Sequence, residues 1–237
     1  ALPICSPRNL RALATNSASD DQLPTTSFNS ARFGVMTVAP AYLPQASPLL
    51  SEEDNCFAQE LAEALSEQGF IALEGQALAY VPISFASADE YLAGLSKNRR
   101  SSLRRKLKSR AQLSVQRIPT GAAFAADAQV DAYYALFDAV YAQSDIHFDK
   151  LTRGFFADLL RDADNGGIVF EYRDAQSDAL LGWNLCFEHD GRLIDKYIGL
   201  SYPAAREANL YFVSWMVNLE YAVERGLTHY VAGWTDP

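Results

Sequence analysis

Eight basic side chains fall within the fourteen residues 97-KNRRSSLRRKLKSR-110: Lys97, Arg99, Arg100, Arg104, Arg105, Lys106, Lys108 and Arg110. Cations at this density suit phosphates, which Arg and Lys contact without any further motif and with a steep dependence on salt. The setting sharpens the point, because the 237-residue chain carries a net charge of −9. Residues 91–126 contain these eight plus Arg117 and no Asp or Glu, so the segment is +9 and the remainder of the chain is −18. Such a remainder repels polyanions, so any polyanion is met locally at this segment. Three uses of the run stay open: a solvated helix face balanced by acidic surface, an anion site, or docking on a membrane surface. For the second, Arg99, Arg100, Arg104 and Arg105 are the anion-binding candidates. The apolar positions Leu95, Leu103 and Leu107 lack the Trp and Phe of a membrane-surface helix. The absence of interleaved aromatics also argues against a single-strand stacking platform.

Other reactive residue types are scattered. GxxxxGK[ST], GxGxxG, GxSxG and HExxH are all missing. His147, His189 and His229 are isolated, so neither a metal site nor a catalytic triad is signalled. Cys5, Cys56 and Cys186 are odd in number, far apart and without a CxxC pair. They read as reduced thiols in a cytoplasmic protein rather than a disulfide framework or a zinc site. What remains is chemistry done mainly by positioning a reactive cosubstrate.

The elements that must do the positioning follow from periodicity. Residues 1–30 are rich in Ser, Thr, Asn and Pro and read as a flexible arm. A segment over 31–84 holds a strand at 33–40, a helix at 51–69 with Ser51 and Asp54 spaced as a capping box, and short strands at 70–75 and 78–84. From 85 onward the spacing predicts the basic helix, a strand at 113–118, helices at 124–144 and 150–162, and strands at 167–174, 180–200 and 228–234. Asp190-Gly191 splits the long strand into a hairpin. A helix over 207–226 ends on Gly226 as its cap. The order implies an α+β, or mixed α/β, class: a central, largely antiparallel sheet flanked by helices. No run of 18 or so apolar residues spans a bilayer. The start carries no basic-then-apolar leader pattern and no initiator Met, which reads as a trimmed or processed end.

Within this frame, 181-LGWNLCFEHDGRLIDKYIGLSYPAAREANLYFVSWMVNLEYAVERGLTHYVAGWTD-236 resembles the core of a GNAT-fold acyltransferase. It is most similar to the divergent group allied to the Fem-type aminoacyltransferases and the peptidoglycan biosynthesis/recognition acyltransferases. The resemblance rests on a D-x-Y-x-G strand (Asp195, Tyr197, Gly199), the loop 201-SYPAAREAN-209, the helix closing at Gly226, and 230-YVAGW-234. A basic helix of the "yl..Lskn.R..lRRk" type is shared as well. The likeness covers 85–237, and 33–84 less securely.

The resemblance implies a GNAT-like acyl-CoA N-acyltransferase fold that moves an acyl or aminoacyl group onto an amine by direct attack. Asp195 would accept the amine proton and Tyr197 donate to the leaving group, the two sharing one strand face by alternation. The donor's phosphates would meet a helix N-terminus at Ala205, Arg206, Ala208 and Asn209, where Arg206 supplies charge and Glu207 opposes it. The usual Q/R-x-x-G-x-G/A loop is absent, so the cosubstrate is acyl-CoA or, as in the Fem-type group, an aminoacyl-tRNA. No metal is implied. The acceptor is a small-molecule or peptide amine, with His147, Asp149, Tyr211, Trp234 and Asp236 as candidate contacts. Two other readings stand beside the enzyme: a recognition module that kept the fold without catalysis, and an RNA- or tRNA-binding protein using 97–110. GNAT domains usually continue past the point where this chain stops. Either the domain is incomplete at its C-terminus, or 33–84 supplies the missing sheet edge.

Overall fold

A computed structural model describes residues 46–72, 77–144 and 150–235, with backbone alone for Ala77, Trp234 and Thr235. The arm at 1–30 and the strand at 33–40 lie outside the described residues. The chain divides between Gly75 and Gln76 into two units.

In the first unit, helix α1 (Glu52–Glu67) starts as its sequence demands. Ser51 Oγ accepts from the Asp54 backbone N–H at 3.1 Å, and Glu52, Glu53 and Asp54 sit against the positive end of the helix dipole. Residues 70–72 are not a strand, and 73–76 lie outside the described residues. Cys56 is disulfide-bonded, which corrects the expectation of three reduced thiols. Distance along a sequence does not bound distance in a fold, and the cysteine argument for a reducing compartment falls with it.

Among the described residues the second unit holds a six-stranded sheet in the order β1–β6–β5–β4–β3–β2. Its strands are β1 (Ala77–Pro82), β2 (Leu113–Pro119), β3 (Gly167–Asp174), β4 (Leu180–His189), β5 (Arg192–Leu200) and β6 (His229–Thr235). All pairs are antiparallel except β5 with β6. β1 forms the sheet edge beside β6. The hairpin between β4 and β5 turns on Asp190 (φ 49°) and Gly191 (φ 69°). Both sit in the left-handed region, as a two-residue turn of this hand requires.

Each sheet face carries its own core. One face packs under α4 (Asp127–Gln143) and α5 (Arg153–Arg161), with Tyr133, Phe156, Val169, Trp183 and Leu185 inside. The other packs under α2 (Ala88–Gly94), α3 (Lys97–Lys106) and α7 (Leu210–Glu224), with Leu92, Phe170, Tyr172, Cys186, Leu193 and Leu210 inside. The basic run is α3 and a 3-10 continuation over Leu107–Gln112; Leu95, Leu103 and Leu107 pack inward on the second core.

The expected helix over 207–226 is two pieces, because Asn209 takes a left-handed conformation (φ 51°) between α6 (Ala204–Glu207) and α7. Asn tolerates that region better than most residues. The far end closes as expected: Gly226 has φ 66°, and the Leu227 N–H reaches back to the Ala222 carbonyl at 2.9 Å.

Candidate functional site

β5 and β6 run side by side only briefly. Their register joins Arg192, Leu193 and Ile194 to His229, Tyr230 and Val231, and then the strands part. Both bulge at the parting. Lys196 is skipped in the β4–β5 ladder and Ala232 in the β1–β6 ladder. A bulge bends its strand and re-aims the side chains beyond it. Gly199, further along β5, has no room for a side chain: a Cβ there would lie 2.4 Å from Trp183 Nε1.

Asp195 stands where the strands separate, on the face of Cys186 and α7. Its Oδ2 accepts from Asn218 Nδ2 and from Tyr230 Oη, each at 2.9 Å, and its Oδ1 accepts from Asn184 Nδ2 at 3.3 Å. Behind it the network continues. Asn184 Nδ2 also donates to Asn218 Oδ1 at 3.1 Å, and Tyr172 Oη donates to Asn184 Oδ1 at 2.9 Å. Burial pushes the Asp195 carboxyl up to about 6, opposed by hydrogen bonds from Tyr230, Asn184, Cys186 and Asn218. Such a carboxyl accepts and returns protons near neutrality. Burial also drives the Tyr230 and Tyr172 hydroxyls and the Cys186 thiol upward. Each therefore stays protonated beside Asp195.

The bulge overturns one expectation. With Lys196 skipped, Asp195 pairs with Cys186 and Tyr197 with Leu185, neighbours that point to opposite faces. Tyr197 therefore lies across the sheet from Asp195, packed in the α4 core with its ring 6.3 Å from that of Phe137, edge to face.

A second expectation also changes. Ala205, Arg206, Glu207, Ala208 and Asn209 do not offer free backbone donors, because their N–H groups are bonded to the carbonyls of Ser201, Pro203, Ala204 and Arg206. Arg206 turns toward Gln143 at 2.6 Å and lies 4.9 Å over the Tyr202 ring. Of the five, Ala205, Arg206 and Asn209 still help to line a pocket with Leu200, Tyr202, Leu210, Tyr211 and Phe212 at the start of α7. Tyr211 is 58% exposed there, and its hydroxyl is raised by burial and by the charge of Asp195. His147, Asp149 and Asp236 lie outside the described residues, as does the side chain of Trp234.

The basic helix keeps most of its charge free. Among the described residues Lys97, Arg99, Arg104, Arg105 and Lys108 form no ion pair and are exposed. Lys97, Arg100, Ser101, Arg104, Arg105 and Lys108 line one shallow concavity. The C-terminal end of the run is structural. Arg110 makes a bidentate pair with Glu220 of α7, Lys106 lies 3.3 Å over the Phe212 ring, and Ser109 Oγ donates to the Ala208 carbonyl.

Sequence reasoning missed Asn184, Asn218, Tyr230 and Tyr172. Asn218 left a signal, as a lone amide within the apolar run 212-FVSWMVNLEYA-222. Asn184 left one too, as an amide within the apolar strand 181-LGWNLCF-187, since Asn is uncommon in strands. Tyr172 and Tyr230 carry none, because Tyr is an ordinary strand residue.

A helix-flanked mixed sheet whose parallel pair parts beside a helix N-terminus is the GNAT-like acyltransferase fold. The chain belongs to the FemAB-like family, described as peptidoglycan biosynthesis/recognition, whose model matches residues 30–235. Among solved structures it is similar to FemX, with 13% identity and a TM-score of 0.53 over 75% of this chain. L-PGS from Bacillus licheniformis is similar too, with 10% identity and a TM-score of 0.51 over 75% of this chain. The chain spans 60% of the FemX structure and 50% of the L-PGS structure, and at these identities the likeness is one of fold. Comparison with curated proteins gives no match. Among the described residues no group of His, Cys, Asp and Glu side chains is placed to hold a metal ion, and no helix is long and apolar enough to cross a membrane.

Proposed function

We propose that the chain is an aminoacyltransferase of the Fem type, passing an aminoacyl group from a tRNA to an amine of a peptidoglycan precursor. One observation carries the reading: a half-buried carboxyl at the parting of β5 and β6, tuned to about 6 and surrounded by neutral donors. An amine attacks only in its neutral form, so a base of this strength at the reacting centre removes the proton that blocks attack. Asp195 is that base. The ester bond between tRNA and amino acid breaks as the new amide forms, and the terminal ribose oxygen leaves.

The donor favoured is aminoacyl-tRNA rather than acyl-CoA, because the backbone donors at 205–209 are spent within the chain and α3 presents unpaired cations suited to phosphodiesters. Arg99, Arg104 and Arg105 are the proposed phosphate contacts, while Arg100 spends Nη1 on the Ala93 and Leu95 carbonyls. The pocket of Arg206, Asn209 and Tyr211 is the proposed seat of the aminoacyl end. Tyr197, on the far face, forms wall rather than proton donor. In the test, the protein is mixed with tRNA carrying a labelled amino acid and with a peptidoglycan-type peptide bearing a free amine. Label moving to the peptide, and not in Asp195→Asn, is the expected result. Transfer from acyl-CoA with none from tRNA would overturn the donor, and transfer from neither would favour a recognition module.

A further inference from the structure

The amides around Asp195 are oriented in one direction. Tyr172 Oη donates to Asn184 Oδ1, and an amide oxygen only accepts, so Asn184 must turn its Nδ2 toward Asp195 and Asn218. Asn218 Oδ1 takes that donor, which turns Asn218 Nδ2 onto Asp195 and onto Tyr230 Oη. Tyr230 Oη, already accepting from Asn218, gives its own proton to Asp195. Apart from a contact of Asn184 Nδ2 with Cys186 Sγ at 3.1 Å, every link runs from Tyr172 toward the carboxylate.

We propose that Asn184 and Asn218 are positioning residues, polarised by Tyr172, which hold Asp195 as a proton acceptor and leave it no proton path into the fold. A proton taken up at Asp195 must then return to the bound reactants, where the leaving group needs one. The groups facing Asp195 support this: the Cys186 thiol from β4, Tyr230 from β6 and Tyr211 from α7, with Tyr172 of β3 behind Asn184, are all pushed up and hold their protons. Lys196 is its neighbour on β5 itself. The consequence for turnover rests on Asp195 being the base proposed above; the carboxyl's own titration does not.

The experiment follows the Asp195 carboxyl by carbon-13 NMR across pH, the resonance being assigned by its loss in Asp195→Asn. The wild-type midpoint is expected near 6. Asn218→Leu removes a donor from the charged form and is expected to raise that midpoint by about one unit. Tyr172→Phe, which removes a single oxygen from behind the network, is expected to move it the same way by less. Tyr172→Phe carries the test if Asn218→Leu does not fold. Midpoints unchanged in folded variants overturn the proposal. A raised midpoint in a protein that shows no transfer upholds the network while removing the transferase reading.

Discussion

Asp195 and Tyr197 are two positions apart on one strand and face opposite sides of the sheet, because Lys196 between them is skipped in the ladder with β4. The carboxyl enters a polar network under α7, and the phenol enters an aromatic core under α4. Of the two, the carboxyl alone lies on the polar side beside the parted strands.

The two residues should therefore behave differently when altered. Asp195→Asn should lower transfer by about 10²- to 10⁴-fold, the range for losing a positioned base. Tyr197→Phe keeps the ring and should stay within a few-fold of wild type. Single-turnover rates of the two variants decide it, and equal large losses would restore Tyr197 to the chemistry.

The unpaired cations of α3 predict a steep salt dependence of tRNA binding, with a log–log slope reflecting several phosphate contacts. Reversing Arg104 and Arg105 to Glu should reduce both the affinity and that slope. Filter binding over a salt series measures this. A slope unchanged by the reversal would move the phosphates elsewhere.

Gly199 is fixed by packing rather than by chemistry, since an added Cβ would meet the buried Trp183 indole at 2.4 Å. Gly199→Ala should cost about 1–3 kcal/mol, as overpacked cores do. For a chain of this size that lowers Tm by about 2–12 °C. A calorimetric melt at fixed pH reads it directly.

Holding Asp195 near 6, above its usual 3.8, ties stability to pH. The folded state binds this proton more tightly than the unfolded state. The contribution is therefore full below about pH 4, and it fades as pH rises to 6. The difference of about two units corresponds to roughly 3 kcal/mol lost across that window. Urea unfolding of wild type and Asp195→Asn at pH 4 and 7 should show the wild type losing more stability between the two.

Much of the frame is legible in the sequence because it is local. The Ser51 cap, the Asp190-Gly191 hairpin and the Gly226 stop each depend on a few adjacent residues, and the structure has all three. The fold class followed from the order of the elements. The site was harder, for two reasons. A bulge inserts one residue into the alternation without altering the composition, so reading 193-LIDKYIG-199 as a regular strand put Tyr197 on the wrong face. Asn184, Asn218 and Tyr230 lie on three separate elements, β4, α7 and β6, and only the sheet order brings them onto one carboxylate. The short helix α6, which starts before the expected one, likewise takes the backbone donors at 205–209 out of use, because they bond back to carbonyls between Ser201 and Arg206.

The most direct test of the account is the pH dependence of aminoacyl transfer under single-turnover conditions at saturating donor. If Asp195 is the base, the rate rises with pH through a midpoint near 6 and then levels, and Asp195→Asn removes that limb along with most of the rate. A rate that ignores pH between 5 and 7, or a limb that persists in Asp195→Asn, would contradict it.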